Sequence, residues 1–279
     1  MSTQPLEGVR VVTIAVNLPG PAAARRLVGL GASVTTVEPP AGDPMASYHP
    51  HWYDALAAGQ NVRRIDLKDP GGRSTLHELL AEADVLLTSS RHSALTRLGL
   101  DWSAVSVRHP RLVQVAITGY PAPDGERSGH DLTYLASEGL LSPPSLPLTL
   151  MADLAGAERA VAAVAALLFA RERIGAVGYM EVSLAQVARD LAEPRRMGIT
   201  EPGAVLGGGF PGYAIYRASD GWVAVAALEP HFLKALEREV GGTAEAMAAT
   251  FATETAEHWE ARGRALDIPM VAVRVSGEQ

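Results

Sequence analysis

Apolar residues recur in short β-branched runs, and stretches of helical composition follow them through the first half of the chain. The first two runs cover residues 9–16 and 33–37, and both are typical of buried strands. Residues 22–30 lie between them, have helical composition and end at Gly31. A strand, a helix and a strand in this order predict parallel pairing with a right-handed crossover.

The same alternation continues to about residue 191. Further strands are predicted at 63–67, 84–88, 112–117 and 178–183. Helices are predicted at 70–83, after 91, from 101, after 130, from Asp153 and at 184–191, whereas 41–61 is predicted to be an irregular loop. This order predicts an α/β fold with a Rossmann-like, doubly wound sheet, in which ligands gather at the carboxyl ends of the strands.

A change in composition after residue 192 predicts a second domain. Residues 1–192 form the predicted large domain, 193–206 a linker rich in Pro and Gly, and 207–267 a small α+β domain. Within the small domain we expect a hairpin at 213–217 and 222–226, then helices at 229–240 and 253–266. A strand at 269–273 opens the last segment, 268–279, where we expect the chain to begin its return to the large domain.

Composition excludes several classes of protein. The chain has no cysteine, so disulfides, thiolate catalysis and cysteine-bound metals are excluded. Its net charge of -7 argues against a nucleic-acid binder, which would need a basic face. The first residues lack a basic segment followed by a long apolar one, and the apolar run 160–170 is too short to cross a bilayer. We therefore expect a cytoplasmic protein that contacts neither membrane nor nucleic acid.

Two superficial signals for bound groups are weak. The turn after the first strand reads NLPGPAA and lacks the glycine pattern that cradles a dinucleotide pyrophosphate, although Glu38 closes the second strand. His49 and His51 are two residues apart with no third ligand in range, so a solvated loop is favoured over a metal. No cofactor and no metal site are predicted.

His130 and Asp153 are the candidate catalytic residues. Each can take up and return a proton, and each stands near a predicted helix start, where backbone N–H groups favour negative charge. Such a pair could remove a proton beside a carbonyl and hold the enolate. Asp153 could instead be only the cap of its helix. Arg91 could meet an anionic group or pair with a surface acid.

The chain resembles the family III CoA transferases (the CaiB/BaiF family), and within them the α-methylacyl-CoA racemase branch. The matching segments include LEGVRVVTIA, LGLGASVTTVEPP, RIDLKDPGG, EADVLLTSSR, LVQVAITGY, SGHDLTYLASEGLL, LTLMADLAGAERAV and GGFPGYAIYRASDGWVAVAALEPHFL. They run in family order over nearly the whole chain. Three of them resemble the racemase branch in particular: GHD, the aspartate of ADLAGA, and LEPHF.

The resemblance implies roles for three residues. His130 and Asp153 would flank the α-carbon of an acyl thioester, one removing the proton and the other returning it to the opposite face, while Glu229 would orient His130. In the transferase branch the same aspartate attacks the thioester and carries the acyl group as an anhydride. The resemblance also implies an interlocked homodimer, and coenzyme A as part of the substrate with no other cofactor.

The implied binding residues include glycines, aromatic residues and cations. They are Asn17, Arg63, Arg64, Arg91, Gly119, Tyr120, Asp131, Tyr134, Gly208 and Gly209. Two basic positions of the family read Thr36 and AAGQNV here, so two of the CoA phosphate contacts that the resemblance implies lack their usual basic residue, and Arg63 or Arg64 could compensate. Family members usually extend beyond this length. Because those basic residues are absent, a thioester on a shorter pantetheine or on a carrier protein is an alternative substrate.

Several functions stay open at this point. The first is a racemase or epimerase of acyl thioesters, and the second is a CoA transferase with Asp153 as nucleophile. Enolate chemistry could also end in elimination, which would give a dehydratase or isomerase. A non-catalytic family member is the fourth, although it would have no reason to keep His130, Asp153 and Glu229 together.

Overall fold

The computed structural model describes residues 4–274, which divide after Ala192 into two compact units. The first unit is built on six parallel strands. These are β1 (Arg10–Thr13), β2 (Ser33–Glu38), β3 (Asn61–Arg64), β4 (Val85–Thr88), β5 (Val113–Thr118) and β6 (Tyr179–Ser183). Their order is β3-β2-β1-β4-β5-β6, the arrangement of a doubly wound sheet. The predicted α/β class and parallel sheet are confirmed.

Nine helices of the first unit accompany this sheet, and a tenth opens the second unit. They are α1 (Pro19–Gly29), α2 (Pro44–Tyr48), α3 (Pro50–Ala57), α4 (Pro70–Glu82), α5 (His92–Leu98), α6 (Trp102–Arg108), α7 (Asp131–Ser137), α8 (Met151–Ile174), α9 (Leu184–Leu191) and α10 (Glu193–Arg196), the last of which opens the second unit. Neighbouring residues of a strand point to opposite faces. Leu87 therefore belongs to the core shared with α1 and α8, whereas Leu86 belongs to the core shared with α4 and α6.

Small residues set the close packing of α1 against α8. Ala22, Ala23 and Ala24 of α1 are fully buried, as are Ala157 and Ala160 of α8. Alanine lets two helix backbones approach, and it gives up no rotamer freedom on burial. The predicted alanine-rich helix is thus confirmed as a core element. It lies in the connection between β5 and β6, which pair directly in parallel and are joined by residues 119–178.

The segment 41–61 differs from the prediction, because it holds two helices rather than an irregular loop. Pro44 and Pro50 each occupy a first helical turn, where proline lacks only an N–H that would be unpaired anyway. The carboxylate of Asp43 accepts the N–H of Met45, and the ring of His49 accepts the N–H of Trp52. His49 is therefore a helix cap. The third strand also begins and ends earlier than predicted. Its residues are all exposed, so no apolar pattern marks its limits in the sequence.

The second unit contains a three-stranded antiparallel sheet and three further helices. The strands are β7 (Tyr213–Arg217), β8 (Trp222–Ala226) and β9 (Met270–Ala272), and the helices are α11 (Pro230–Val240), α12 (Ala244–Phe251) and α13 (Ala256–Leu266). The predicted hairpin is confirmed residue for residue. Helix α12 was not predicted, and Thr243 caps it by accepting the N–H of Ala246.

The last strand stays with the second unit. Met270 pairs with Val225 and Ala272 with Val223, so β9 is hydrogen-bonded to β8. The expected return of 268–279 to the first domain stays a prediction, and residues 275–279 lie outside the described part of the chain. Within residues 4–274, none of the helices is both long and apolar enough to cross a bilayer.

Candidate active site

A cavity of about 310 Å³ opens at the carboxyl ends of β1, β4 and β5. The sheet order reverses between β1 and β4, and ligands of doubly wound folds bind at this kind of switch point. The lining residues come from the loops after these strands and from the β5–β6 connection. They include Asn17, Ser89, Ser90, Arg91, Thr118, Gly119, Arg127, Ser128, Gly129, His130, Tyr134 and Asp153. The structure therefore brings His130 and Asp153 together with four of the predicted binding residues.

The loop after β1 is held by hydrogen bonds to its neighbours. The Val16 N–H donates to Ser89 Oγ over 2.9 Å, which ties this loop to the one after β4. Asn17 has a φ of 65°, a left-handed conformation that asparagine tolerates better than most residues. Its N–H donates to the buried carboxylate of Asp43 over 3.0 Å. The side chain of Asn17 thus lies at the cavity on a fixed backbone.

Asp153 does not cap its helix. It is the third residue of α8, the capping position is Leu150, and the N–H of Asp153 donates to Oδ1 of Asp131 over 3.0 Å. A carboxylate 22 positions away along the chain therefore does the work that the capping alternative assigned to Asp153. That alternative was wrong, and the carboxyl group of Asp153 lines the cavity instead.

Burial raises the pKa of Asp153 to about 7, and the negative charge of Asp131 adds to the effect. Desolvation disfavours an ionised carboxylate, and a second carboxylate beside it disfavours that form further. A carboxyl group with this pKa exists in both protonation states near neutral pH. Asp153 can therefore both accept and return a proton under ordinary conditions, which is what acid–base catalysis requires.

His130 lies immediately before α7 in an extended conformation. Its N–H donates to Oγ1 of Thr133 over 3.0 Å, and the Thr133 hydroxyl donates back to the His130 carbonyl over 2.8 Å. These two bonds fix the backbone at the start of the helix. The residue is exposed and lines the same cavity as Asp153, so its imidazole is available to a bound molecule.

Tyr134 forms part of the cavity wall and packs edge-on against Tyr120, with 5.3 Å between ring centroids. Burial raises the pKa of Tyr134 to about 12, and Asp153 is the next cause. The phenol therefore stays protonated and can donate a hydrogen bond near Asp153. Tyr120 is buried and supports this ring from behind without lining the cavity.

Glycines make room for Tyr134. A Cβ at Gly119 would lie 2.7 Å from the Tyr134 hydroxyl, and one at Gly129 would lie 2.4 Å from Cε1 of the same ring. Real contacts to carbon at such distances do not occur without movement of one partner. Gly119 is thus better explained by close packing than by a contact to a ligand.

Gly129→Ala is expected to destabilise the first unit by about 1–3 kcal/mol, because the added methyl group forces the Tyr134 and Tyr120 rings apart. Urea unfolding followed by tyrosine and tryptophan fluorescence measures this. The matched control is Gly125→Ala in the same loop, whose Cβ would meet only a backbone oxygen at 3.6 Å. Equal stability of the two variants would contradict the packing argument.

Two cations reach the cavity, and only one was foreseen. Arg91 lines it, and its Nη2 donates to Ser128 Oγ over 2.8 Å. Arg127 also lines it, with its guanidinium 4.5 Å from the centroid of the Tyr120 ring, a cation–π contact. The sequence analysis assigned no role to residues 121–128, and their spacing does not show that this loop folds back onto the strand ends.

Arg63 and Arg64 do not line this cavity. Arg63 contributes to a separate depression that also contains Arg10 and Glu78. Arg64 lies beside Glu38, with which it pairs across β2 and β3. Their suggested contact with CoA phosphates stays a prediction. No cluster of three potential metal ligands occurs within residues 4–274.

Glu229, Gly208 and Gly209 belong to the second unit. Glu229 is the residue before α11, without a side-chain capping bond, so its suggested orientation of His130 stays a prediction. Gly208 has a φ of 88° and lines an apolar depression of about 670 Å³ over the three-stranded sheet, with Leu206, Tyr213 and Val271. Gly209 is outside that lining, and its close approach to the Gly203 carbonyl leaves no space for a side chain.

Comparison with known proteins gives matches along almost the whole chain. The model of CoA-transferase family III matches residues 6–278. Human α-methylacyl-CoA racemase is 31% identical over 256 residues, which cover 85% of this chain and 65% of that protein. Cinnamoyl-CoA:phenyllactate CoA-transferase of Clostridium sporogenes is 36% identical over 154 residues, or 50% of this chain and 37% of that protein. The chain thus spans less than two thirds of the length of either curated relative.

The fold of this chain also matches a solved structure along nearly the whole of this chain. The crystal structure of a hypothetical protein from Mycobacterium tuberculosis superposes with a TM-score of 0.84 at 25% identity. The match covers 99% of this chain and 87% of that one.

Proposed function

The chain belongs to CoA-transferase family III, and on that premise we propose that it is a racemase or epimerase of acyl thioesters that works by α-proton transfer. The observation that carries the proposal is the presence of His130 and Asp153 in one cavity, with the pKa of Asp153 near 7. A racemase needs two groups that can exchange roles as acid and base. A transferase that works through an aspartate needs only one.

In the proposed mechanism the α-carbon of the acyl group lies between the two side chains. One of them removes the α-proton, the electron pair of the C–H bond moves into an enolate, and the other side chain delivers a proton to the opposite face. The thioester oxygen gains negative charge in the enolate, and hydrogen-bond donors near the helix starts stabilise it. Each cycle leaves the two groups with exchanged protonation states. Because the pKa of Asp153 is about 7, its change of protonation state costs little free energy at neutral pH.

The substrate in this proposal is a 2-methylacyl-CoA or a related thioester on a carrier. Arg91 and Arg127 supply positive charge at the cavity, which suits an anionic carrier group such as a phosphate. Glu229 orients His130, and two copies of the chain form an interlocked homodimer. These finer points are proposals that rest on the family resemblance.

A CoA transferase is the second candidate. It is favoured by the position of the Asp153 carboxyl group in the cavity, free of any capping role, and by the transferase among the matched relatives. Here the carboxylate attacks the thioester carbonyl, a C–O bond forms, the C–S bond breaks, and CoA leaves as the thiolate. The acyl group then stays on Asp153 as an anhydride until an acceptor arrives.

Proton NMR in D₂O with a single enantiomer of a 2-methylacyl-CoA distinguishes the two. We expect deuterium to replace the α-proton while the optical purity of the thioester falls. If hydroxylamine instead traps an acyl group on Asp153, without α-exchange, the protein is a transferase. A protein that binds the thioester and shows neither signal would contradict both proposals.

A further inference from the structure

The buried carboxylate of Asp131 has no place in the cavity lining. Asp131 is the first residue of α7 and is 3% exposed. It does not contact the cavity described above. The sequence resemblance implied that it binds substrate, and that role stays a prediction. A buried charge needs compensation, so its partners indicate what it does.

Those partners are the backbone N–H groups at the start of α8. Oδ1 of Asp131 accepts the N–H of Asp153 over 3.0 Å, and the nearby N–H of Ala152 also favours the ionised form of this carboxylate. Helix α8 has no cap of its own, because Leu150 stands at the capping position. Asp131 thus fixes the backbone of Asp153 from the adjacent helix and leaves the Asp153 side chain to the cavity.

The arrangement also places the Asp131 carboxylate against the backbone of Asp153, whose own carboxyl group is desolvated. The pKa of Asp131 is raised by burial, and its two backbone bonds counteract that rise. The titratable groups near Asp153 are Asp131 and Tyr134 on α7 and Tyr48 on α2, and the same cavity also contains His130 and the cations Arg91 and Arg127. Both tyrosines are neutral at ordinary pH, so Asp131 is the anionic neighbour in this set.

We propose that Asp131 is a positioning residue that acts through Asp153: it holds the start of α8 in place and keeps a buried negative charge next to the residue that faces the substrate. The inference rests on the proposed function, in which Asp153 exchanges a proton with the substrate. When Asp131 is ionised, the ionised form of Asp153 is repelled. Asp153 then becomes a stronger base than an ordinary carboxylate, as removal of an α-proton demands.

The test separates charge from shape with Asp131→Asn. The amide oxygen of Asn can still accept the backbone N–H groups, whereas the negative charge is gone. We expect the pKa of Asp153, followed by carbon NMR of labelled aspartate, to fall by at least about one unit. The acidic limb of the pH–rate profile for α-proton exchange should move in the same direction by the same amount.

Two further variants serve as controls. Asp54→Asn removes an exposed carboxylate of α3 and should leave both the titration and the exchange profile unchanged. Asp131→Ala removes the cap as well as the charge, so it should lower the melting temperature in addition to the pKa of Asp153. An unchanged pKa of Asp153 in Asp131→Asn would overturn the proposal and reduce Asp131 to a helix cap.

The titration needs no substrate, so the two proposals can fail separately. A lowered pKa of Asp153 without α-proton exchange in the wild-type protein would support the role of Asp131 and contradict the racemase. Exchange in the wild-type protein, with an unchanged Asp153 titration in Asp131→Asn, would support the racemase and contradict the role of Asp131.

Discussion

Asp153→Asn is expected to lower the rate of α-proton exchange at neutral pH by about 10³-fold for the enantiomer whose proton Asp153 removes, within the range that general acid–base groups contribute. Asparagine has nearly the size of aspartate and leaves the capping bond to Asp131 intact, because that bond uses the backbone N–H. The cavity and the start of α8 should therefore be preserved while the proton acceptor is lost. Proton NMR of a 2-methylacyl-CoA in D₂O measures the rate for each enantiomer separately.

His130→Asn is the companion variant. If two bases serve opposite faces, each variant should keep some exchange from the enantiomer whose proton the remaining base removes, and both should lose racemisation. A rate close to that of the wild-type protein in Asp153→Asn would contradict the two-base mechanism. Equal loss of exchange from both enantiomers in His130→Asn would indicate that His130 acts by orienting the substrate.

The second large effect concerns the free energy of unfolding, which Asp153→Asn is expected to increase. The pKa of Asp153 is raised from 3.8 to about 7 in the fold. Below 3.8 both folded and unfolded chains carry the proton, so the group contributes nothing. As the pH rises toward 7 the unfolded chain ionises freely and the folded one does not, so stability is lost and the penalty is complete above pH 7.

Asn carries no such penalty at any pH. We therefore expect the stabilisation of Asp153→Asn over the wild-type protein to be larger at about pH 8 than at about pH 5 by about 2–3 kcal/mol. Urea titrations at both pH values measure the free energy of unfolding, with Asp54→Asn as the control for loss of a carboxylate. A stability difference that is independent of pH would show that Asp153 has an ordinary pKa.

The sequence was sufficient for the sheet, because buried parallel strands have continuous apolar runs that stand out. Strand β4 and helix α9 lie where the pattern predicts them. Strand β3 is exposed along its whole length, so its limits depend on pairing with β2 rather than on apolar residues. The helices within 41–61 were not predicted, although Pro44 and Pro50 occupy first helical turns, where proline is well tolerated.

Part of the candidate site was also predictable from the sequence. His130 and Asp153 stand near helix starts, and both lie in motifs, GHD and ADLAGA, that resemble the family. Asp131 could not be assigned in this way, since its partner is the backbone of a residue 22 positions later. Backbone contacts leave no trace in residue types. Arg127 reached the cavity through the path of a loop, which spacing does not encode.

The connection between β5 and β6 carries His130, Asp131, Tyr134 and Asp153, while the two strands it joins pair directly. The proposed catalytic and positioning residues thus lie in one continuous stretch of the sequence, and the strands that frame the rest of the cavity lie outside that stretch. Exchange of that single stretch between relatives could alter the chemistry without redrawing the sheet.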